Sequence, residues 1–204
     1  MSVQIVVAHY KESLDWLNIF RPETVLVYNK NNETTRFTTI NLPNLGRESN
    51  TYLHHIIHNY DTLPDIVAFM QGKDDHLPAY KLRNYIKKMK ETPSMLIEGD
   101  ITMVHKSNIF LSPDGRIYTW QGKDLIPAEC GFFSWFQKYI DSKLPEFYPI
   151  IWGACFVVRR ETIRAHSLEF YKRLYEQTLA GDSVEVGHFF ERTWGYIFTH
   201  KGFT

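Results

Sequence analysis

The sequence is poor in cysteine, with only Cys130 and Cys155 among 204 residues. They form no CxxC pair and no metal-finger spacing, so neither a disulfide framework nor a structural zinc module is expected. Two reduced, buried thiols acting as small apolar side chains fit this usage, as does a reducing compartment. A charge excess is also missing, because 23 Lys and Arg balance 23 Asp and Glu. Duplex-binding proteins normally carry a basic surplus along one face, so nucleic acid is not an expected partner. No apolar run approaches the roughly twenty residues that cross a bilayer. The opening Met1-Ser2-Val3-Gln4-Ile5-Val6-Val7 lacks the charged start and long apolar stretch of a signal peptide. Together these absences predict a soluble, cytoplasmic chain with no membrane span and with small or local partners. There is no internal repeat or low-complexity linker, and the length suits a single domain over 1–204.

What is present is an alternation of short β-like runs and helical patterns, which predicts an α/β fold with a mostly parallel central sheet flanked by helices. Val3 to Ala8 is a continuous apolar run, as in a strand buried on both faces. A short helix through Leu14, Trp16 and Leu17 and a strand over Thr24 to Tyr28 follow. Ser49 is a candidate N-cap for a helix carrying Tyr52, Leu53, Ile56, Ile57 and Tyr60 on one face. Ile66 to Met70 reads as the next buried strand, and Leu82, Tyr85, Ile86 and Met89 mark a second amphipathic helix. Short strands are expected at Ile101 to Val104, Ile109 to Leu111 and Ile117 to Trp120, with Ser112-Pro113-Asp114-Gly115 as a hairpin turn. Gly131 to Ile140 reads as helical and Cys155 to Val158 as a strand. A long helix is expected from Glu161 to Leu179, and a last one, capped by Ser183, to Phe198.

The chemistry concentrates where the strands end. The apolar strand before Gln71 delivers Asp74-Asp75-His76 to its carboxyl edge, where open α/β sheets bind ligands. Adjacent carboxylates repel, and Mg²⁺ or Mn²⁺ removes that cost, imidazole being tolerated by Mn²⁺. Asp74 and His76 share a side if this segment stays extended, and Asp75 is left to bind through water or to orient a sugar. The same spacing also allows a solvated loop in which Asp74 or Asp75 caps the helix starting near Pro78. Asn44-Leu45-Gly46-Arg47-Glu48 precedes a helix, so Arg47 suits a diphosphate, although an Arg–Glu surface pair is an equal reading. Ala8-His9-Tyr10 ends the first strand, and Tyr10 offers a ring for stacking on a base. Trp152-Gly153 offers an apolar face for a pyranose and a close backbone approach. In the last helix Glu191, with Glu185 second, is a candidate carboxylate for deprotonating an acceptor hydroxyl. His188 lies on the same face as Glu191, and either His188 or His200 is a candidate late metal ligand. His54, His55 and His58 read as structural, since no HExxH glutamate accompanies them.

With these segments in order, the chain resembles GT-A-type glycosyltransferases. The resemblance rests on Ile5-Val6-Val7-Ala8-His9-Tyr10, on Asp74-Asp75-His76 and on Trp152-Gly153-Ala154-Cys155-Phe156-Val157-Val158. The chain is also similar to a fungal family of unknown-function domains, through Asn44 to Glu48, Tyr52-Leu53-His54-His55-Ile56, Leu63-Pro64-Asp65 and Glu191-Arg192-Thr193-Trp194. It further resembles the capsid-glycan glycosyltransferase domains of large algal viruses. The resemblance implies a UDP-sugar donor, a glycan acceptor, a Mn²⁺ or Mg²⁺ ion and an Asp-x-Asp type of metal site. Here that site reads Asp74-Asp75-His76, nearer to an Asp-x-His variant. Two other functions suit the same residues. One is a metal-dependent phosphohydrolase or nucleotidyltransferase. The other is a non-catalytic glycan-binding module presenting Trp120, Trp135 and Trp152.

Overall fold

The computed structural model describes residues 1–32, 35–109 and 112–200. Its core is a six-stranded sheet in the order β3-β2-β1-β4-β8-β5. The strands are β1 (Val3–His9), β2 (Val25–Asn29), β3 (Thr38–Asn41), β4 (Ile66–Gln71), β5 (Ile97–His105) and β8 (Phe147–Arg159). β1, β2, β3 and β4 pair in parallel, and β8 runs antiparallel to both β4 and β5. Five strands therefore point one way, and the expected mixed, mostly parallel α/β sheet is present. β6 (Thr119–Trp120) and β7 (Lys123–Asp124) form a separate small hairpin.

Alternation along each central strand explains the layering, because successive side chains leave a strand on opposite faces. Val6, Val67 and Phe69 pack beneath α1 (Arg47–Asn59), α3 (Phe132–Tyr139), α5 (Leu168–Glu176) and α6 (Glu185–Thr199). Ile5, Val7, Ile66, Ala68 and Met70 pack under α2 (Ala79–Glu91) and the 3-10 turn Asp15–Ile19. Among the described residues no helix is long and apolar enough to cross a membrane.

Several local expectations are corrected. α1 starts at Arg47, with Gly46 as its cap in the left-handed region (φ 56°), so Ser49 lies inside the first turn. A Cβ at Gly46 would sit 2.5 Å from Thr178 Cβ, which is why the chain has glycine there. The expected helix over Glu161 to Leu179 is two helices, α4 (Arg160–Arg164) and α5. It breaks where Ser167 turns its hydroxyl to the Phe170 N–H and caps the second. Ser183 does not cap α6, because its carbonyl accepts the Ile126 N–H and Val184 takes the cap position. Ser112 to Gly115 does form a turn, but among the described residues it joins no paired strands. The hairpin is Thr119 to Asp124, turning at Gln121 and Gly122, both at positive φ. Ile109 is buried in a bend, and the rest of the strand expected there lies outside the described residues.

Candidate functional site

β1 is central, with β2 on one side and β4 on the other, so the strand order reverses between β1 and β4. Crevices at the carboxyl ends of strands around such a point are where open α/β sheets bind ligands. A cleft of about 720 Å³ opens there. Its floor comes from Ala8 and His9 at the end of β1 and Tyr10 beyond it, Lys30 after β2, and Gln71 at the end of β4 with Asp75 and His76 beyond it. Arg47 and Glu48 of α1 and His188, Glu191 and Arg192 of α6 form one wall, and Trp120 and Trp152 border the mouth.

The Trp152-Gly153 segment reaches the cleft because β8 breaks its own ladder. Gly99 pairs with Phe156, yet Ile101 already pairs with Ile151, so residues 152–155 bulge out. Gly153 and Ala154 both take positive φ, 75° and 50°. Three contacts hold this turn. The Gln71 side-chain amide donates to the Gly153 carbonyl at 2.7 Å, and the Gly153 N–H donates to Glu191 Oε1 at 2.7 Å. The His76 ring lies where a Gly153 Cβ would be, 2.2 Å from its Cγ. Glu191 Oε2 meets Arg192 at 3.3 Å, and the Arg192 guanidinium stacks 5.2 Å from the Trp152 ring.

The cationic side of the cleft is tightly organised. Arg47, itself at φ 53°, donates to His188 Nε2 at 2.9 Å, and Trp120 lies 4.7 Å from the same imidazole. Burial, then the neighbouring Arg47 and Arg192, push the His188 pKa down to about 3, so the ring is a neutral acceptor. The buried Lys30 ammonium donates to the Leu45 carbonyl at 2.6 Å and to the Arg47 carbonyl, which braces the Gly46 turn. Burial lowers its pKa to about 8, against the pull of Glu48. Glu48 is the deep carboxylate of the site, its side chain 12% exposed and Arg47 Nε 3.9 Å away. Desolvation raises its pKa, an effect that Arg47 opposes.

Of the residues singled out from sequence, Ala8, His9, Tyr10, Arg47, Asp75, His76, Trp152, Gly153 and Glu191 come together around this cleft. Asp74 does not border it. The segment after β4 bends instead of staying extended, and Asp74 Oδ2 accepts the Ala79 N–H at 3.2 Å at the start of α2. For this residue the helix-capping alternative is the one observed. Glu185 is also elsewhere. It is 1% exposed and accepts from Arg116 at 2.7 Å, the Ile117 N–H at 2.8 Å and the Ala128 N–H at 2.9 Å, so it anchors a loop. His200 caps the far end of α6 and stacks on Tyr196 at 3.8 Å. Twelve residues of helix separate it from His188, about 18 Å of rise, so it cannot join Asp75 and His76 on one ion. Trp135 is fully buried against Phe132, Phe189 and Phe190 and cannot serve on a sugar platform.

Lys30, Gln71 and Arg192 were not singled out from the sequence. Lys30 carried a signal, since a lone lysine directly after a fully buried strand sits at the ligand edge. Glu48 read as half of a surface pair, and nothing local distinguishes that from a buried carboxylate. Among the described residues no group of three or more His, Cys, Asp or Glu side chains is placed to hold a metal ion.

Residues 5–110 match the family described as "Protein of unknown function (DUF3431)". The chain belongs to this family. The DUF3431 match takes in β1 to β5, with Arg47, Glu48, Asp75 and His76, and ends before Trp152 and Glu191. No curated protein matches the chain. A solved structure of CMP:2-keto-3-deoxy-manno-octonic acid synthetase complexed with CTP is similar at TM-score 0.43 and 9% identity, covering 85% of this chain and 78% of that chain. A likeness at that score carries no argument about the chemistry of this DUF3431 protein.

Proposed function

We propose that this protein is a GT-A-type glycosyltransferase that moves a sugar from a UDP-sugar to an acceptor hydroxyl, on a glycan. The observation that carries this reading is the cleft at the β1/β4 switch point, where guanidinium groups, carboxylates and tryptophan rings face one space. Arg47 suits a diphosphate, Tyr10 a nucleobase, and Trp152, its ring steadied by Arg192, a pyranose face. Glu191 fixes the Gly153 turn that presents Trp152.

Charge supports a divalent cation in this reading. Five carboxylates (Glu12, Glu48, Asp75, Asp182 and Glu191) and four cations (Lys30, Arg47, Lys73 and Arg192) border the cleft. A diphosphate therefore brings surplus negative charge into a space with no positive excess. Asp75 and His76 are the donors left at that edge. Such a pair suits Mn²⁺ or Mg²⁺, which take one or two protein ligands and complete their shell with phosphate oxygens and water. When bound, the ion would offset charge that develops on the departing nucleotide.

Calorimetry with UDP, with and without Mn²⁺, tests the reading. UDP is expected to bind with Mn²⁺ present, and Asp75→Asn to weaken that binding at least tenfold. Asp74→Ala is expected to leave UDP affinity within about threefold and to cost about 1 kcal/mol of stability through the lost cap. No UDP binding under either condition would remove the proposal. Release of phosphate with the sugar still attached to it would replace transfer by phosphohydrolase or nucleotidyltransferase chemistry. Glycan binding that persists in EDTA without UDP binding would mark a non-catalytic module.

A further inference from the structure

Two carboxylates border the inner cleft from two helices, and their surroundings differ. Glu191, on α6, has both oxygens engaged, Oε1 by the Gly153 N–H and Oε2 by Arg192. Those contacts commit Glu191 to holding the Gly153 turn. Glu48, on the first turn of α1, has Arg47 3.9 Å away and its own backbone N–H as its near partners among the described residues. One turn along the same face, the Tyr52 hydroxyl is buried without a hydrogen-bond partner. Glu48 thus keeps lone pairs free towards the cleft in a site that strips away most of its water.

We propose that Glu48 is the catalytic base of the transfer, taking the proton from the acceptor hydroxyl; this rests on the glycosyltransferase reading above. The acceptor O–H bond breaks and its proton passes to the Glu48 carboxylate. The acceptor oxygen bonds to the anomeric carbon, and the bond from that carbon to the diphosphate oxygen breaks, its electron pair leaving with UDP. A base-assisted direct displacement places the new bond opposite the departing group, so the anomeric configuration inverts. The groups facing Glu48 are Arg47 and Tyr52 of α1, Lys30 after β2, Cys155 of β8 and Glu191 of α6. Desolvation dominates among these influences and raises the carboxyl, so its loss of activity on acidification should come above the usual carboxylate range.

The test measures UDP release from UDP-glucose, UDP-galactose and UDP-N-acetylglucosamine, with Mn²⁺ and a panel of oligosaccharide acceptors. Glu48→Gln is expected to lower kcat at least 100-fold, within the usual range for a positioned base, while calorimetric UDP affinity stays within threefold. The wild-type product should show inverted anomeric configuration by NMR. A wild type that transfers sugar while Glu48→Gln keeps kcat within threefold would overturn the assignment and leave the glycosyltransferase reading standing, as would a retained configuration. A wild type that neither binds UDP nor releases it from any donor would overturn both. If Glu48→Gln does not fold, Glu48→Asp carries the test. Its acid limb in the profile of kcat/KM against pH should move and its kcat should fall, and an unchanged profile would overturn the assignment.

Discussion

Gly153 shows how much of the site depends on one residue. Its φ of 75° disfavours any side chain, and a Cβ there would strike the His76 ring. Gly153→Ala is expected to cost about 2 kcal/mol, within the range for a strained backbone position, measured by urea unfolding. It should also displace His76, so Mn²⁺-dependent UDP affinity should fall with stability. An unaltered midpoint would mean that the turn relaxes at no cost. At this scale the sequence was informative about which residue types gather and less so about where each points. Trp152-Gly153 reads from sequence as a close approach because glycine beside an aromatic implies one. The spacing of Asp74, Asp75 and His76 fixes a face only while the backbone is extended, and a bend before α2 gave Asp74 to the helix end.

Among elements, the long apolar strands and amphipathic helices were legible because burial imposes period 2 or 3.6 on side chains. β3, Thr38–Asn41, was not singled out, since a polar edge strand with one partner shows no such pattern. Nor does periodicity reveal that Glu185, on the first turn of α6, serves packing while Glu191, further along, serves the cleft. Its three acceptor contacts from Arg116, Ile117 and Ala128 were long-range facts. Glu185→Ala leaves a guanidinium and two backbone N–H groups without their acceptor. It is expected to destabilise by about 3 kcal/mol, as for breaking a largely buried pair. The folded fraction should keep wild-type UDP affinity by calorimetry, and a selective loss of binding would return Glu185 to the site.

The whole molecule carries several imidazoles that are neutral because they are buried. Burial, helped by neighbouring cations or imidazoles, holds His54 at about 4 and His55 and His188 at about 3, from an ordinary 6.5. An unfolded chain takes up protons between these values that the folded chain refuses. Stability is thus complete above pH 6.5 and is lost as the pH falls towards 4 and 3, by about 1.4 kcal/mol per pH unit for each proton. Glu48, raised by burial, opposes this by at most one proton. The urea midpoint should drop between pH 7 and pH 5, and His55→Leu should flatten that slope. A midpoint indifferent to pH would refute the neutral-histidine account. The parallel part of the sheet was foreseeable from the βα alternation. The reversed direction of β8, and hence the meeting of α6 with α1 across one space, depended on chain path.

Two elements share the weight of both architecture and chemistry. β8 closes the sheet and bears the Gly153 turn, while α6 lies so near it that a Cβ on Gly195 would fall 2.4 Å from the Pro149 carbonyl oxygen. Neither can be recontoured without disturbing the interior. The small β6–β7 hairpin, which brings Trp120 to the rim with two residues per strand, has no such double duty. Natural divergence or laboratory selection for new ligands would therefore find its freedom in that projecting finger, with the palm beneath it left intact.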